Sequence, residues 1–356
     1  MNMLEDIALL PEEQNIIDSP DEISVGRVSL EHRSYYIVIT GRGEMSAVPV
    51  GRMYHDPSPE GMPVVGDMVE IKIFDEDPPH AVITSILPRK SLFARKEAGK
   101  RTGMQPIAAN IDTAFIVCGL DANFSVRRIE RYLTLSLESG AQPVIVLTKA
   151  DICDDVEAKV EAVEASAAGW PVCVVSAYTG IGLDGLKEHL KADATAALLG
   201  SSGVGKSTLI NYLLGKDAQR VQEVRNVDGR GRHTTTSRQL FILPSGCCII
   251  DTPGMRELGL IDIDDGLAGA FADIEEIARN CRFADCRHEG EHGCAVAEAL
   301  EEGRLEQGRF ENYLKMKREV LYIKRRQEIG AAAAERAKWK KIRKMARRFK
   351  KGGNNR

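Results

Sequence analysis

The chain of 356 residues is 43% hydrophobic, enough for more than one core, which suggests two or three domains and excludes a small stapled scaffold. No stretch approaches the ~20 apolar residues that cross a bilayer. The opening MNMLEDIALLPEEQN is acidic where a secretory leader is basic, so a cytoplasmic protein with no membrane partner is expected. The net charge of -4 hides an asymmetry: eleven Lys or Arg and no acid follow Glu335, leaving about -15 on the residues before it.

After an N-terminal extension (1–20), residues 21–90 run in short β-rich pieces: Ser24 to Leu30, Tyr35 to Thr40, Met45 to Val50, Val69 to Phe74 and Ala81 to Leu87. Turn formers separate them, as in GRGE and DEDPP, and five strands so spaced predict a small closed barrel of the OB type, whose face often binds RNA. An SH3-like barrel fits the same pattern, as does a barrel that is only an appendage. Residues 91–105 read as a basic linker, since the string RKSLFARKEAGKRTGMQ from Arg89 shows no periodicity.

From 106 to 268 the pattern alternates between strand and helix: TAFIVC (113–118), a helix through Val126 to Leu137, PVIVLT (143–148), a helix through Val156 to Ala167, then PVCVVSA (171–177). Leu183 to Leu190, AALLG (196–200), a helix from Lys206 to Leu214 and a hairpin over 238–251 continue it. Apolar strands between amphipathic helices predict a parallel sheet covered on both faces. Residues 269–330 read as helical and charged around a cysteine cluster, and 331–356 as a basic tail. A basic tail on an acidic body points to a polyanion, above all nucleic acid, though a solvated terminus has the same composition.

The string GSSGVGKST fits G-x-x-x-x-G-K-[ST] between an apolar run and a helix, the setting a phosphate loop requires. There Gly200, Ser201, Ser202, Gly203, Val204 and Gly205 would wrap phosphate with backbone N–H groups, and Thr208 follows in the helix. Lys206 should reach the β- and γ-phosphates, and Ser207 should bind Mg²⁺.

The string TKAD (Thr148, Lys149, Ala150, Asp151) has the [NT]-K-x-D pattern that reads guanine. A carboxylate at Asp151 accepts from the ring N1–H and the exocyclic amine, a donor pair adenine lacks, while Lys149 packs over the ring. Thr148 stands where Asn is commoner, and weaker bracing of the loop is expected from it. Ser176 and Ala177 open SAYTG, a loop whose backbone would also contact guanine.

In DTPG, Asp251 suits the Mg²⁺ shell and the Gly254 N–H the γ-phosphate. Upstream, GRGRHTTTSRQL offers Thr234, Thr235 and Thr236 to Mg²⁺ and the γ-phosphate, with Thr235 and Thr236 the chosen candidates. Met255 occupies the place of a water-orienting Gln, so His233 is the candidate to orient or deprotonate the attacking water, unless it is only a loop residue.

The guanine motif thus precedes the phosphate loop, the reverse of the usual order. The same sheet can be built by joining the old ends and cutting elsewhere, because sites depend on strand ends in space. The segment after DTPG then leads straight into the C-terminal residues, which can receive the nucleotide state.

Of eight cysteines, Cys118, Cys153, Cys173, Cys247 and Cys248 lie in apolar surroundings and read as reduced core residues. Cys281, Cys286 and Cys294, with His288 or His292, suit a closed tetrahedral Cys3His site for one structural Zn²⁺.

Taken together, QPIAANID (105–112), the permuted TKAD, SA, GSSGVGKST, GRHTTT and DTPG series, and C-x4-C-x-H-x5-C resemble the ribosome small-subunit-dependent GTPase A (RsgA) family over nearly the whole chain. The resemblance implies an OB-fold barrel, a central α/β circularly permuted P-loop GTPase domain and a C-terminal α-helical zinc domain. It implies zinc on Cys281, Cys286, His288 and Cys294, Mg²⁺ with GTP, and hydrolysis to GDP stimulated by the small (30S) subunit, with His233 taking part. A monomer acting in late maturation of that subunit, in contact with its rRNA, follows as the expectation. Thr148 and the long basic tail depart from the family pattern. Two rivals are an RNA-binding module loaded by nucleotide and a metabolic P-loop kinase, against which TKAD argues.

Overall fold

The computed structural model describes residues 23–55, 61–96, 104–167, 169–215, 238–251, 264–322 and 324–325. The first five strands, β1 (Ile23–Glu31), β2 (Tyr36–Thr40), β3 (Gly43–Pro49), β4 (Met68–Phe74) and β5 (His80–Ile86), lie within about two residues of the pieces read from sequence. Along β3, Met45, Ala47 and Pro49 are buried while Glu44, Ser46 and Val48 are exposed, the period-two pattern of a strand with one wet face. The strands pair in the order 1-2-3-5-4 and β4 returns to β1, which closes the barrel. The parallel β3–β5 pair belongs to an OB-fold, not to the antiparallel meander of an SH3-like barrel. A short helix α1 (Gly51–His55) inserts Met53 into the barrel core.

The basic segment read as a linker contributes structure on both sides: β6 (Leu92–Lys96) and β7 (Met104–Ala109) form an antiparallel pair. Phe93, Ile107 and Ala108 join the main core, so the segment is fastened to the body at its base. An ion pair between Arg89 and Asp67, with side chains 7% and 0% exposed, secures the barrel beside it.

Next come β8 (Thr113–Gly119), α2 (Val126–Ser139), β9 (Gln142–Thr148), α3 (Val156–Ser166), β10 (Val172–Val174), α4 (Leu183–Lys187), β11 (Thr195–Leu199), α5 (Lys206–Leu214), β12 (Gln239–Ile242) and β13 (Cys248–Asp251). The sheet order is 10-9-8-11-13-12, parallel except for β12. Strands β8, β9 and β11 are buried almost throughout, as expected of strands covered on both faces. Ile129, Leu133 and Val163 of α2 and α3 pack on one face, and Leu183, Leu186, Leu209 and Ile210 of α4 and α5 on the other. Leu30 of β1 pairs with Gln239 of β12, so barrel and parallel sheet form one eleven-stranded sheet.

The C-terminal residues form α6 (Asp264–Ala270), α7 (Ala272–Ala278), α8 (Ala295–Glu301) and a helix over 307–322, α9. Gly266 lets α6 touch α2, since a Cβ there would sit 2.7 Å from the Thr134 carbonyl oxygen. Phe271, Val296, Phe310 and Tyr313 share one apolar core with α2 and the sheet. All eight cysteines are free; Cys118, Cys247 and Cys248 are buried, Cys153 and Cys173 half-buried. Among the described residues, no helix is long and apolar enough to cross a membrane.

Candidate functional site

The site is built at the carboxyl ends of the parallel strands, where an open α/β sheet leaves a crevice. Strand β11 ends at Leu199 and the chain turns through 200–205 into α5. Gly200, Gly203 and Gly205 have φ of 154°, 77° and 98°, values that side chains disfavour. A Cβ on Gly200 would also lie 2.4 Å from the Val117 carbonyl oxygen. Val204 anchors the loop in the core beneath, while Ser202, Gly203, Ser207 and Thr208 are exposed and Ser201 is half-buried. The Lys206 ammonium donates to the carbonyls of Gly200 and Ser201 at 2.8 and 2.7 Å, which places its charge in the loop.

One strand away, β13 ends at Asp251. Burial pushes its carboxyl above the ordinary range and the Lys206 ammonium opposes that shift, so the two groups face one electrostatic space. His233, Thr234, Thr235, Thr236, Gly254 and Met255 lie outside the described residues.

On the other side, β9 delivers Thr148, 5% exposed, against the phosphate loop. Its hydroxyl donates to the Val204 carbonyl oxygen at 2.5 Å. The bracing that the exchange of Asn for Thr was expected to weaken is thus made by a hydroxyl. Lys149, at φ 64°, reaches the Gly203 carbonyl and Asp121, each at 2.6 Å. That ammonium holds the Asp121 carboxyl below its usual range.

A 3₁₀ turn over Ala150–Ile152 places Asp151, whose carboxylate accepts from the buried Ser176 hydroxyl at 2.6 Å. The Ala150 N–H donates to the Val175 carbonyl, and Ala177 lies half-buried in the adjoining loop. The TKAD and SA strings, 25 residues apart, are therefore joined by a side-chain hydrogen bond that orients the carboxylate. Two further residues belong to the site and escaped the sequence reading. Asp121 follows β8 and seats Lys149, while Arg128 of α2 donates to the Ser201 hydroxyl at 2.8 Å.

A second constellation lies between α7 and α8. The ligand atoms of Cys281, Cys286, His288 and Cys294 all fall within 4.8 Å of one another, and His292 is not part of the group. His288, at φ 60°, brings Nδ1 to 3.6 Å from the Cys281 sulfur and 3.4 Å from that of Cys294. Three thiols and one imidazole that close together fit a tetrahedral ion, since Zn–S bonds of ~2.3 Å imply sulfurs roughly 3.8 Å apart. The group could hold one zinc. Cys294 also caps α8 by accepting from the Ala297 N–H, and His288 packs edge-on against Phe310 of α9, which ties the centre to the helices around it.

A phosphate loop braced by a guanine-type motif, with that motif earlier in the chain, defines a circularly permuted P-loop GTPase. Residues 86–261 match the RsgA GTPase family. A small ribosomal subunit biogenesis GTPase RsgA 2 of Lactiplantibacillus plantarum is 47% identical over 315 residues, spanning 88% of this chain and 87% of that relative. The RsgA of Opitutus terrae is 43% identical, spanning 89% of each. The crystal structure of YjeQ from Thermotoga maritima aligns with a TM-score of 0.61 at 30% identity, covering 84% of this chain and 99% of that one. That of YloQ, described as a circularly permuted GTPase, aligns at 0.60 and 25%, covering 85% and 96%. This chain belongs to the RsgA family of GTPases.

Proposed function

We propose that this GTPase acts in the biogenesis of the small ribosomal subunit and that the subunit, by binding, raises its rate of GTP hydrolysis. The observation that carries the reading is the joined site: Ser176 fixes the Asp151 carboxylate for guanine, while Thr148 and Lys149 tie that motif to the phosphate loop. The names of the relatives, small ribosomal subunit biogenesis GTPases, support the substrate assembly.

In this reading 200–205 supply N–H donors to the phosphates and Lys206 supplies charge. Ser207 and Asp251 would hold Mg²⁺ with Thr235 or Thr236, the Gly254 N–H would meet the γ-phosphate, and His233 would orient water. The ion would neutralise charge on the phosphate oxygens. Cys281, Cys286, His288 and Cys294 would hold one structural zinc, and the OB barrel and basic tail would meet rRNA. The protein works as a cytoplasmic monomer, and the switch segments pass nucleotide state to the C-terminal helices.

GTP turnover by the purified chain, measured with and without purified small subunits, tests the reading. A marked rise with subunits is expected. An unchanged rate would leave an RNA-binding module loaded by nucleotide, and ATP hydrolysed as readily as GTP would restore the kinase reading.

A further inference from the structure

A cleft of about 380 Å³ separates α2 from α9, lined by Arg127, Arg128 and Arg131 on one wall and Glu311, Lys315 and Glu319 on the other. Arg131 and Glu319 form a two-pronged pair at 2.9 and 3.0 Å. Arg127 approaches Glu311 only at 3.7 Å, with both side chains more than half exposed. Both carboxylates are thus engaged. Arg128 spends one donor on the uncharged Ser201 hydroxyl, and among the described residues no carboxylate pairs with Arg128 or with the exposed Lys315. The cleft therefore keeps roughly two uncompensated positive charges on a body whose formal charge is about -15.

We propose that this cleft receives a backbone phosphate of small-subunit rRNA between Arg128 and Lys315, and that Arg128 thereby ties subunit binding to the phosphate loop. The proposal rests on the small-subunit reading and adds a point of contact to it. A guanidinium has five donors in a planar fork, so Arg128 can keep Ser201 while taking two phosphate oxygens. Lys315 adds a point charge from the facing helix. An acidic body approaching RNA must make its contacts where positive charge is left over, and this is such a place beside the nucleotide. Arg128 acts here as a positioning residue: it touches the loop that holds GTP, and the phosphate stiffens that contact.

The test is equilibrium binding of the full chain to purified 30S subunits over a salt series, with stimulated turnover measured at saturating subunit. Each of Arg128→Gln and Lys315→Gln should weaken binding roughly five- to tenfold and lower the slope of log affinity against log salt by ~0.7 to 0.9, the value for one phosphate. Arg128→Lys should keep the slope yet lower stimulated turnover, because an ammonium cannot serve phosphate and Ser201 together. Lys187→Gln, on the opposite face of the sheet, should behave as wild type, and matching thermal midpoints exclude misfolding. If subunits bind and stimulate the wild type but both glutamine variants keep its slope, the cleft proposal alone is overturned. Affinity lost without a change of slope points to a protein partner and also overturns it. A wild type that ignores subunits removes this proposal together with the reading beneath it.

Discussion

Thr148 shows how one hydroxyl can replace an amide. The Val204 carbonyl that it satisfies lies at a buried point of the phosphate loop just before α5, where an unmet acceptor costs about 1–3 kcal/mol. Thr148→Val keeps the shape and removes the donor, so a lower thermal midpoint and about tenfold weaker GDP binding are expected by calorimetry. Thr148→Asn should restore most of both. At Asp151 the argument concerns the base. Asp151→Asn offers a donor where guanine needs an acceptor, and preference should move toward xanthine, whose C2 oxygen accepts. Competition between GTP and XTP measures this, and a variant that still selects GTP would sink the assignment. These residues were legible because strand-end loops put short, fixed strings in one place. Arg128 and Asp121 were not, because their partners Ser201 and Lys149 stand 73 and 28 residues away and leave no local spacing.

Helix α2 shows the same logic one level up. Its residues reach Ser201 through Arg128, Glu319 through Arg131, and the buried Arg309 of α9 through Glu130, at 2.6 Å. Arg309 also holds Asp273 of α7, and Asn312 donates to Glu130, so one buried network joins the nucleotide-binding domain to the C-terminal helices. Burial holds the Glu130 carboxyl above its ordinary range against the pull of Arg309 and Asn312. Arg309→Met removes that pull and leaves a buried charge alone, at a cost of about 3–5 kcal/mol near neutral pH. The variant's Glu130 titrates higher still when folded than when unfolded. Protonation therefore favours its folded state, and the gap to wild type should narrow from pH 8 to pH 5. Denaturant unfolding at both pH values measures that gap, and a constant one would contradict the argument. The cluster of Cys281, Cys286, His288 and Cys294 is a second element-scale case. Protein purified without chelator should carry about one zinc per chain, and Cys286→Ala should lose it and loosen α7 and α8 more than the parallel sheet. Metal analysis with amide exchange checks both. Its three cysteines were readable as a spacing and His288 only through the family resemblance, since His292 fitted the spacing too. The β6–β7 pair was not readable: LFARK and MQPIAA are short, basic or proline-bearing, and only their distant pairing makes them strands.

At the scale of the molecule, the barrel continues the parallel sheet and the C-terminal helices share its core, so the order of domains along the chain was legible and their fusion was not. Edge pairing such as Leu30 with Gln239 joins residues over two hundred positions apart and has no sequence period. Charge, by contrast, is read directly from sequence, and it sets the last expectation. The acidic body, at about -15, would be repelled by rRNA, so attraction must come from cationic surfaces. The eleven cations after Glu335 lie outside the described residues, yet their composition states what they can do. They release counterions on contact with phosphate, a sequence-independent contribution that makes affinity fall steeply with salt. Ala331 to Ala334 favour helix on contact, and Trp339 and Phe349 can stack on exposed bases. Truncation after Gly330 should therefore weaken 30S binding and flatten its salt dependence by several phosphate equivalents, more than the single equivalent assigned to the α2–α9 cleft. Turnover at saturating subunit should stay near that of the full chain, because every nucleotide-binding motif lies at or before DTPG in the sequence. An unchanged salt slope would make the tail a solvated end and leave the binding to the barrel, the cleft and the zinc-ligand helices.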